Sequence, residues 1–73
     1  MSMDKLLLEN LRNNGAIVEH SNILMTRVLF PPSMSREQII KSAISMVLAS
    51  DYDCHEIKTL PDGSVQLTVH LDS

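Results

Sequence analysis

"CHEIKTLPDGSVQLTVHL", residues 54–71, decides the fold class. At its centre, Pro61 and Asp62 suit the middle of a type I turn, and Gly63 suits the left-handed residue of the bulge that follows it. That turn sets Leu60 opposite Ser64. Continued outward, the register pairs Lys58 with Gln66, Ile57 with Leu67, Glu56 with Thr68, His55 with Val69 and Cys54 with His70. Strand side chains alternate between faces, so Ile57, Val65, Leu67, Val69 and Leu71 share one side with His55 and Thr59. Cys54, Glu56, Lys58, Gln66, Thr68 and His70 share the other. Turn chemistry and alternation agree on an antiparallel hairpin with an apolar face and a wet one.

The segment before it, "SMSREQIIKSAISMVLAS" (residues 33–50), predicts a helix over 36–49. Ser35 and Gln38 have the spacing of a capping box, and Glu37 lies in the first turn, where the helix dipole favours an acid. Ile40, Ala43, Ile44 and Val47 follow the i, i+3, i+4, i+7 pattern expected of a buried face, which Ile39 and Met46 broaden. Arg36, Lys41 and Ser45 are left to face water.

"AIVEHSNILMTRVLF" (residues 16–30) reads as extended, because Ile17, Val18, Ile23, Thr26, Val28 and Phe30 favour strands. Ser21 and Asn22 mark either a tight turn, which divides it into strands 16–20 and 23–30, or a bulge in one long strand. Pro31 and Pro32 end it by removing two backbone donors. Residues 3–14 read as a first helix, capped by Ser2 with Asp4 in its first turn. Met3, Leu7 and Leu11 recur every four residues, Leu6 and Leu8 widen the stripe, and Gly15 can close the helix in the left-handed conformation.

The expected architecture is therefore a single small α+β domain spanning residues 1–73. Its order is N-terminal helix, one or two strands, second helix and C-terminal β-hairpin, with the helices packed on a small, mainly antiparallel sheet. The strand order stays open, since the segment before the second helix could lie beside either strand of the hairpin.

Composition narrows the function. A 73-residue chain buries only about 60% of the surface it exposes when unfolded, so it needs an efficient core or a shared one. The hydrophobic fraction of 44% is that of a globular chain, and its aromatics are Phe30 and Tyr52 alone. Such a core offers few rings for stacking on bases or sugars. The net charge of −3 is uneven: residues 1–50 carry +1 and residues 51–73 carry −4. An acidic C-terminal third disfavours phosphate binding there. Cys54 is the single cysteine, which rules out an intrachain disulfide and fits a reducing compartment. No apolar run is long enough to span a bilayer, and Leu6, Leu7 and Leu8 are too soon interrupted to form a signal peptide's apolar middle. A cytoplasmic, non-membrane protein is the expectation.

Cys54 and His70 face each other across the predicted hairpin, the arrangement from which a base lowers a thiol's pKa and activates it. No third group orients the histidine, however, and no glycine-rich turn offers donors to an oxyanion. Cys54, His55, His70, Asp53 and Tyr52 gather near the hairpin's open end, but adjacent strand residues point to opposite faces and no CxxC or HxxxH spacing occurs. His55 reads as a border residue of the apolar face, and His20 as solvated at a turn. The expectation is no catalytic residue, no metal and no cofactor. The only glycines, Gly15 and Gly63, stand apart and make no phosphate loop. Arg27, Arg36 and Lys41 are too dispersed, and too far from any aromatic platform, to favour nucleic acid, although a nucleic-acid-associated regulator is the alternative they support.

The segment "ILMTRVLF" (residues 23–30) is the anomaly. Read as one strand, it puts Ile23, Met25, Arg27 and Leu29 on one side and Leu24, Thr26, Val28 and Phe30 on the other, both largely apolar. Such a strand should be covered twice. The second helix can cover one side, and the first helix or another copy of the chain must cover the other. The sequence thus predicts a non-enzymatic protein–protein interaction module, homodimeric or bound to another protein, of the accessory or inhibitory kind. Ile23, Met25 and Leu29 are its expected contacts, with Leu6, Leu7 and Leu8 contributing from the first helix.

Overall fold

Backbone geometry at two glycines sets the chain's course. In the computed structural model, which describes residues 5–49 and 54–70, the first helix, α1 (Lys5–Asn13), stops at Gly15, whose φ is +101°. The Gly15 amide donates to the Arg12 carbonyl and the Ala16 amide to the Leu11 carbonyl, both at 3.0 Å. This pair of bonds is a Schellman motif, and its usual apolar contact is present because Leu11 and Ala16 are both buried in the core. The proposed cap Ser2, with Met3 and Asp4, lies outside the described residues.

The chain then runs through β1 (Ile17–Ser21) and β2 (Met25–Phe30) as an antiparallel hairpin, so the two-strand reading holds. Its turn falls on Asn22, Ile23 and Leu24, slightly later than Ser21 and Asn22 suggested. Asn22 explains the shift: its side-chain oxygen accepts from the amides of Leu24 and Met25 at 2.8 and 2.9 Å, and its own amide donates to the Met25 carbonyl. An asparagine that satisfies three backbone groups in this way fixes the loop around itself. A bulge interrupts the ladder between Val18 and His20.

Helix α2 (Arg36–Ala49) has the predicted bounds. Its capping box forms in both directions: the Gln38 amide donates to Ser35 Oγ, and the Ser35 amide donates to Gln38 Oε1. The final hairpin, β3 (Cys54–Thr59) and β4 (Val65–His70), has the predicted register, from Cys54 opposite His70 to Lys58 opposite Gln66. In its turn, the Leu60 amide donates to the Ser64 carbonyl at 2.8 Å, and Gly63 takes a φ of +92°. Leu71 lies outside the described residues.

The four strands form one antiparallel sheet in the order β1-β2-β4-β3. β2 therefore lies beside β4, with Val28 opposite Leu67 and Phe30 opposite Val65. α1 packs on β1 and α2 on β4. Val28, Phe30, Leu67 and Val69 from the sheet are sealed beneath Leu11 and Met46 from the helices. Thr26 is buried beside them, its hydroxyl bonded to that of Ser21 at 3.0 Å.

Of the two covers the sequence allows for the Met25–Leu29 side of β2, the first helix is not one, because both helices lie on the same face of the sheet, over Val28 and Phe30. Two other expectations are corrected. Ile23 and Leu24 belong to the hairpin turn rather than to either face of the strand, and both are exposed.

The second correction concerns α2. Among its described side chains, Ser42 and Met46 are buried, flanked by half-buried Ile39 and Ala43, whereas Ile40, Ile44 and Val47 are exposed. The helix is rolled so that Met46 fills the space over Val28, Phe30 and Leu67 in the core. Ser42, Ser45 and Lys41 line an open cleft shared with Leu7, Leu11 and Asn14 of the α1 region.

Candidate interaction surface

At 100° per residue, the apolar positions of α2 occupy more than one face. Met46, Ile39 and Ala43 point at the sheet. Val47, Ile40, Ile44 and Leu48 continue the same apolar arc outward until it spans roughly 200° of the helix, twice what a single core-facing stripe requires. The chain buries the first part only. Ile40 is 51% exposed, Ile44 52% and Leu48 80%.

The adjoining strand is bare for a complementary reason. α1 lies over β1 and α2 over β4, which leaves β3 at the sheet edge without a helix above it. Alternation still turns His55, Ile57 and Thr59 toward the helix side, opposite Val69, Leu67 and Val65. All three are exposed.

Between helix and strand runs an open trough. One stretch, about 300 Å³, is walled by Ile44, Val47 and Leu48 on one side and by His55 and Ile57 on the other, with Leu67 in its floor. A second hollow, about 380 Å³, lies between the same two elements and is lined by Arg36, Ile39 and Ile40 on the helix side and by Thr59 and Val65 on the sheet side. Several large aliphatic side chains, Ile40, Ile44, Val47, Leu48 and Ile57, are thus exposed around this part of the surface.

The rim of the trough is an edge strand: among the described residues, β3 pairs with β4 alone. Because the Leu60 amide bonds to Ser64, and inward and outward groups alternate along a strand, Glu56 and Lys58 direct their backbone groups to β4. The amides and carbonyls of His55, Ile57 and Thr59 point outward. β3 keeps continuous register with β4 over all its residues, while the opposite edge, β1, is broken by the Val18–His20 bulge. A bulge is a common device for blunting an edge against further pairing, and β3 lacks it.

The residues expected from the sequence to make contacts are not brought together. Met25 and Leu29 are half-buried on the helix-free face of β2. Leu7 and Leu8 pack against the core on the other face, Leu6 is exposed on α1, and Ile23 is at the hairpin tip. The helix-free face is knitted by polar contacts: Arg27 Nε donates to Thr68 Oγ1 at 3.2 Å, and Gln66 Nε2 donates to Glu19 Oε1 at 2.8 Å. Ile17, half exposed, stands opposite Leu29 on this face.

Cys54 and His70 do stand opposite each other on that face, both half-buried, with Met25 next to His70 on β2. Asp53 and Tyr52 lie outside the described residues, among which no group of three or more His, Cys, Asp or Glu side chains is placed to hold a metal ion. His55 lines the trough instead. Of the three cations that suggested nucleic acid, Arg27 is on the helix-free face, while Arg36 and Lys41 are on α2. Lys41 is also paired with Glu37 at 3.4 Å. The cations thus form no common surface. No described helix is long and apolar enough to cross a membrane.

The trough was missed because the sequence pattern of α2 was assigned wholly to the core. Its signal was present in the excess width of the apolar arc. Against known protein families, curated proteins and solved structures, the chain gives no match.

Proposed function

We propose that this protein is a small, non-enzymatic protein–protein interaction module, acting in the cytoplasm as a homodimeric accessory or inhibitory factor, and that its contact surface is the trough between α2 and β3. One observation carries the reading: Ile40, Ile44 and Leu48 are at least half exposed on a helix whose other apolar side already fills the core. Burying a large aliphatic side chain is worth about 1.5–3 kcal/mol. A partner that covers several of them, and buries apolar side chains of its own in return, sets that gain against a cost of about 4–15 kcal/mol for lost rotational and translational freedom.

Ile44→Glu tests it. Ile44 lies outside the core, so the variant should keep the wild-type circular dichroism and melting temperature at low protein concentration. In sedimentation equilibrium across a concentration series, wild type should dimerise and the variant should remain monomeric. A variant that associates as wild type does, or a wild type monomeric throughout, overturns the reading.

A further inference from the structure

We propose that the partner is a second copy of this chain, joined edge to edge through antiparallel β3–β3 pairing centred on Ile57, with Glu56 of each copy opposite Lys58 of the other. The proposal rests on reading the α2–β3 trough as a contact surface, and adds the occupant and the register.

The backbone restricts the possibilities first. His55, Ile57 and Thr59 hold the outward amides and carbonyls, so outward residues must meet outward residues across a two-fold axis. That leaves few registers. Centred on Glu56, the pairing opposes two glutamates; centred on Lys58, it opposes two lysines. Centred on Ile57, it places Ile57 against Ile57 and His55 against Thr59 as hydrogen-bonded pairs, and Glu56 against Lys58 twice. Those charge pairs occupy non-hydrogen-bonded sites, where facing side chains come closest. Of these three registers, charge favours the one centred on Ile57, which is also the one that keeps all of residues 55–59 paired.

The trough supports the same geometry. Joining the edges brings two β4 strands to three strand spacings apart, about 14 Å. The two α2 helices then flank the new seam on one side of a continuous eight-stranded sheet. Ile44, Val47 and Leu48 of both copies fill the space between the helices, over the paired Ile57 side chains. The unpaired edge and the bare apolar groove are closed by one contact.

Charge exchange is the test, followed by sedimentation equilibrium at low salt. Glu56→Lys and Lys58→Glu each turn two attractive pairs into two repulsive ones, and each should loosen the dimer about tenfold or more. The double exchange, Glu56→Lys with Lys58→Glu, should restore wild-type affinity, and an equimolar mixture of the two single variants should form a heterodimer tighter than either homodimer. Amide exchange gives a second readout: His55, Ile57 and Thr59 should gain protection with concentration, while Glu56 and Lys58, bonded to β4, stay protected throughout. If Ile44→Glu abolishes association but the single charge variants dimerise like wild type, or the double exchange fails to restore affinity, edge pairing in this register is wrong although the trough reading survives. If none of these variants alters association, both are wrong.

Discussion

Ile57 and Leu67 stand directly opposite each other across the β3–β4 ladder, yet Ile57 is 62% exposed and Leu67 1%. Both point to the helix side of the sheet. The difference arises from what lies above: α2 packs on β4 and closes Leu67 into the core, while β3 projects beyond it. One cross-strand pair thus spans the boundary between the chain's interior and its exposed sheet edge.

The two members of that pair should respond oppositely to truncation. Leu67→Ala removes a buried side chain that touches the central cluster, and should cost about 2–5 kcal/mol of protomer stability. Ile57→Ala, on an exposed edge, should cost less than about 1 kcal/mol in the monomer, but should weaken association. Urea unfolding at a concentration low enough to keep the protein monomeric, repeated at a high one, separates the two effects. Equal losses of stability for both variants at low concentration would show that β3 is covered after all.

How far the sequence could be read follows from the range of the interactions involved. The β3–β4 register was legible residue by residue, because Pro61, Asp62 and Gly63 specify the turn locally and alternation propagates it. The bounds of α2 were legible for the same reason: Ser35 and Gln38 mark its start through bonds no more than three residues apart. The rotation of α2 was not. Ile40, Ile44 and Val47 satisfy the spacing of a buried face as well as Ile39, Ala43 and Met46 do, and the choice between them is made by tertiary packing on the sheet, which spacing along the helix does not encode. β2 misled in another way. Ile23 and Leu24 have strand propensity, but Asn22 captures their backbone into a turn, so the presumed two-faced strand begins at Met25.

Gly15 makes the end of α1 a sensitive point. An added Cβ would meet Met34 Cγ at 3.6 Å, an ordinary contact, so Gly15→Ala introduces no clash. Its cost is conformational: a φ of +101° is natural for glycine and strained for alanine. We expect a loss of about 1–2 kcal/mol, read as a lower urea midpoint with an unchanged m-value. Because the bonds from Gly15 to Arg12 and from Ala16 to Leu11 hold the helix end in place, amides near this end should also exchange faster in the variant. Unaltered stability would mean that the chain leaves α1 by a route without the left-handed residue.

Asp62 gives the hairpin turn a dependence on acid. Its Oδ1 accepts the Ser64 amide at 2.9 Å, and that backbone bond, reinforced by the Ser64 side chain and by Asp62's own amide, holds its carboxyl below the ordinary value of 3.8. A depressed folded pKa means that in this range the unfolded chain binds more protons than the folded one, so stability rises with pH. The contribution is complete above 3.8 and is lost as the pH falls through the folded value. Asp62→Asn keeps an oxygen to accept the Ser64 amide but cannot titrate. The wild type and this variant should therefore have similar melting temperatures near neutrality, with the wild type losing more of its stability on acidification below 3.8. Parallel melting-temperature curves for the two proteins down to pH about 2 would show that the turn carboxylate contributes nothing through ionisation.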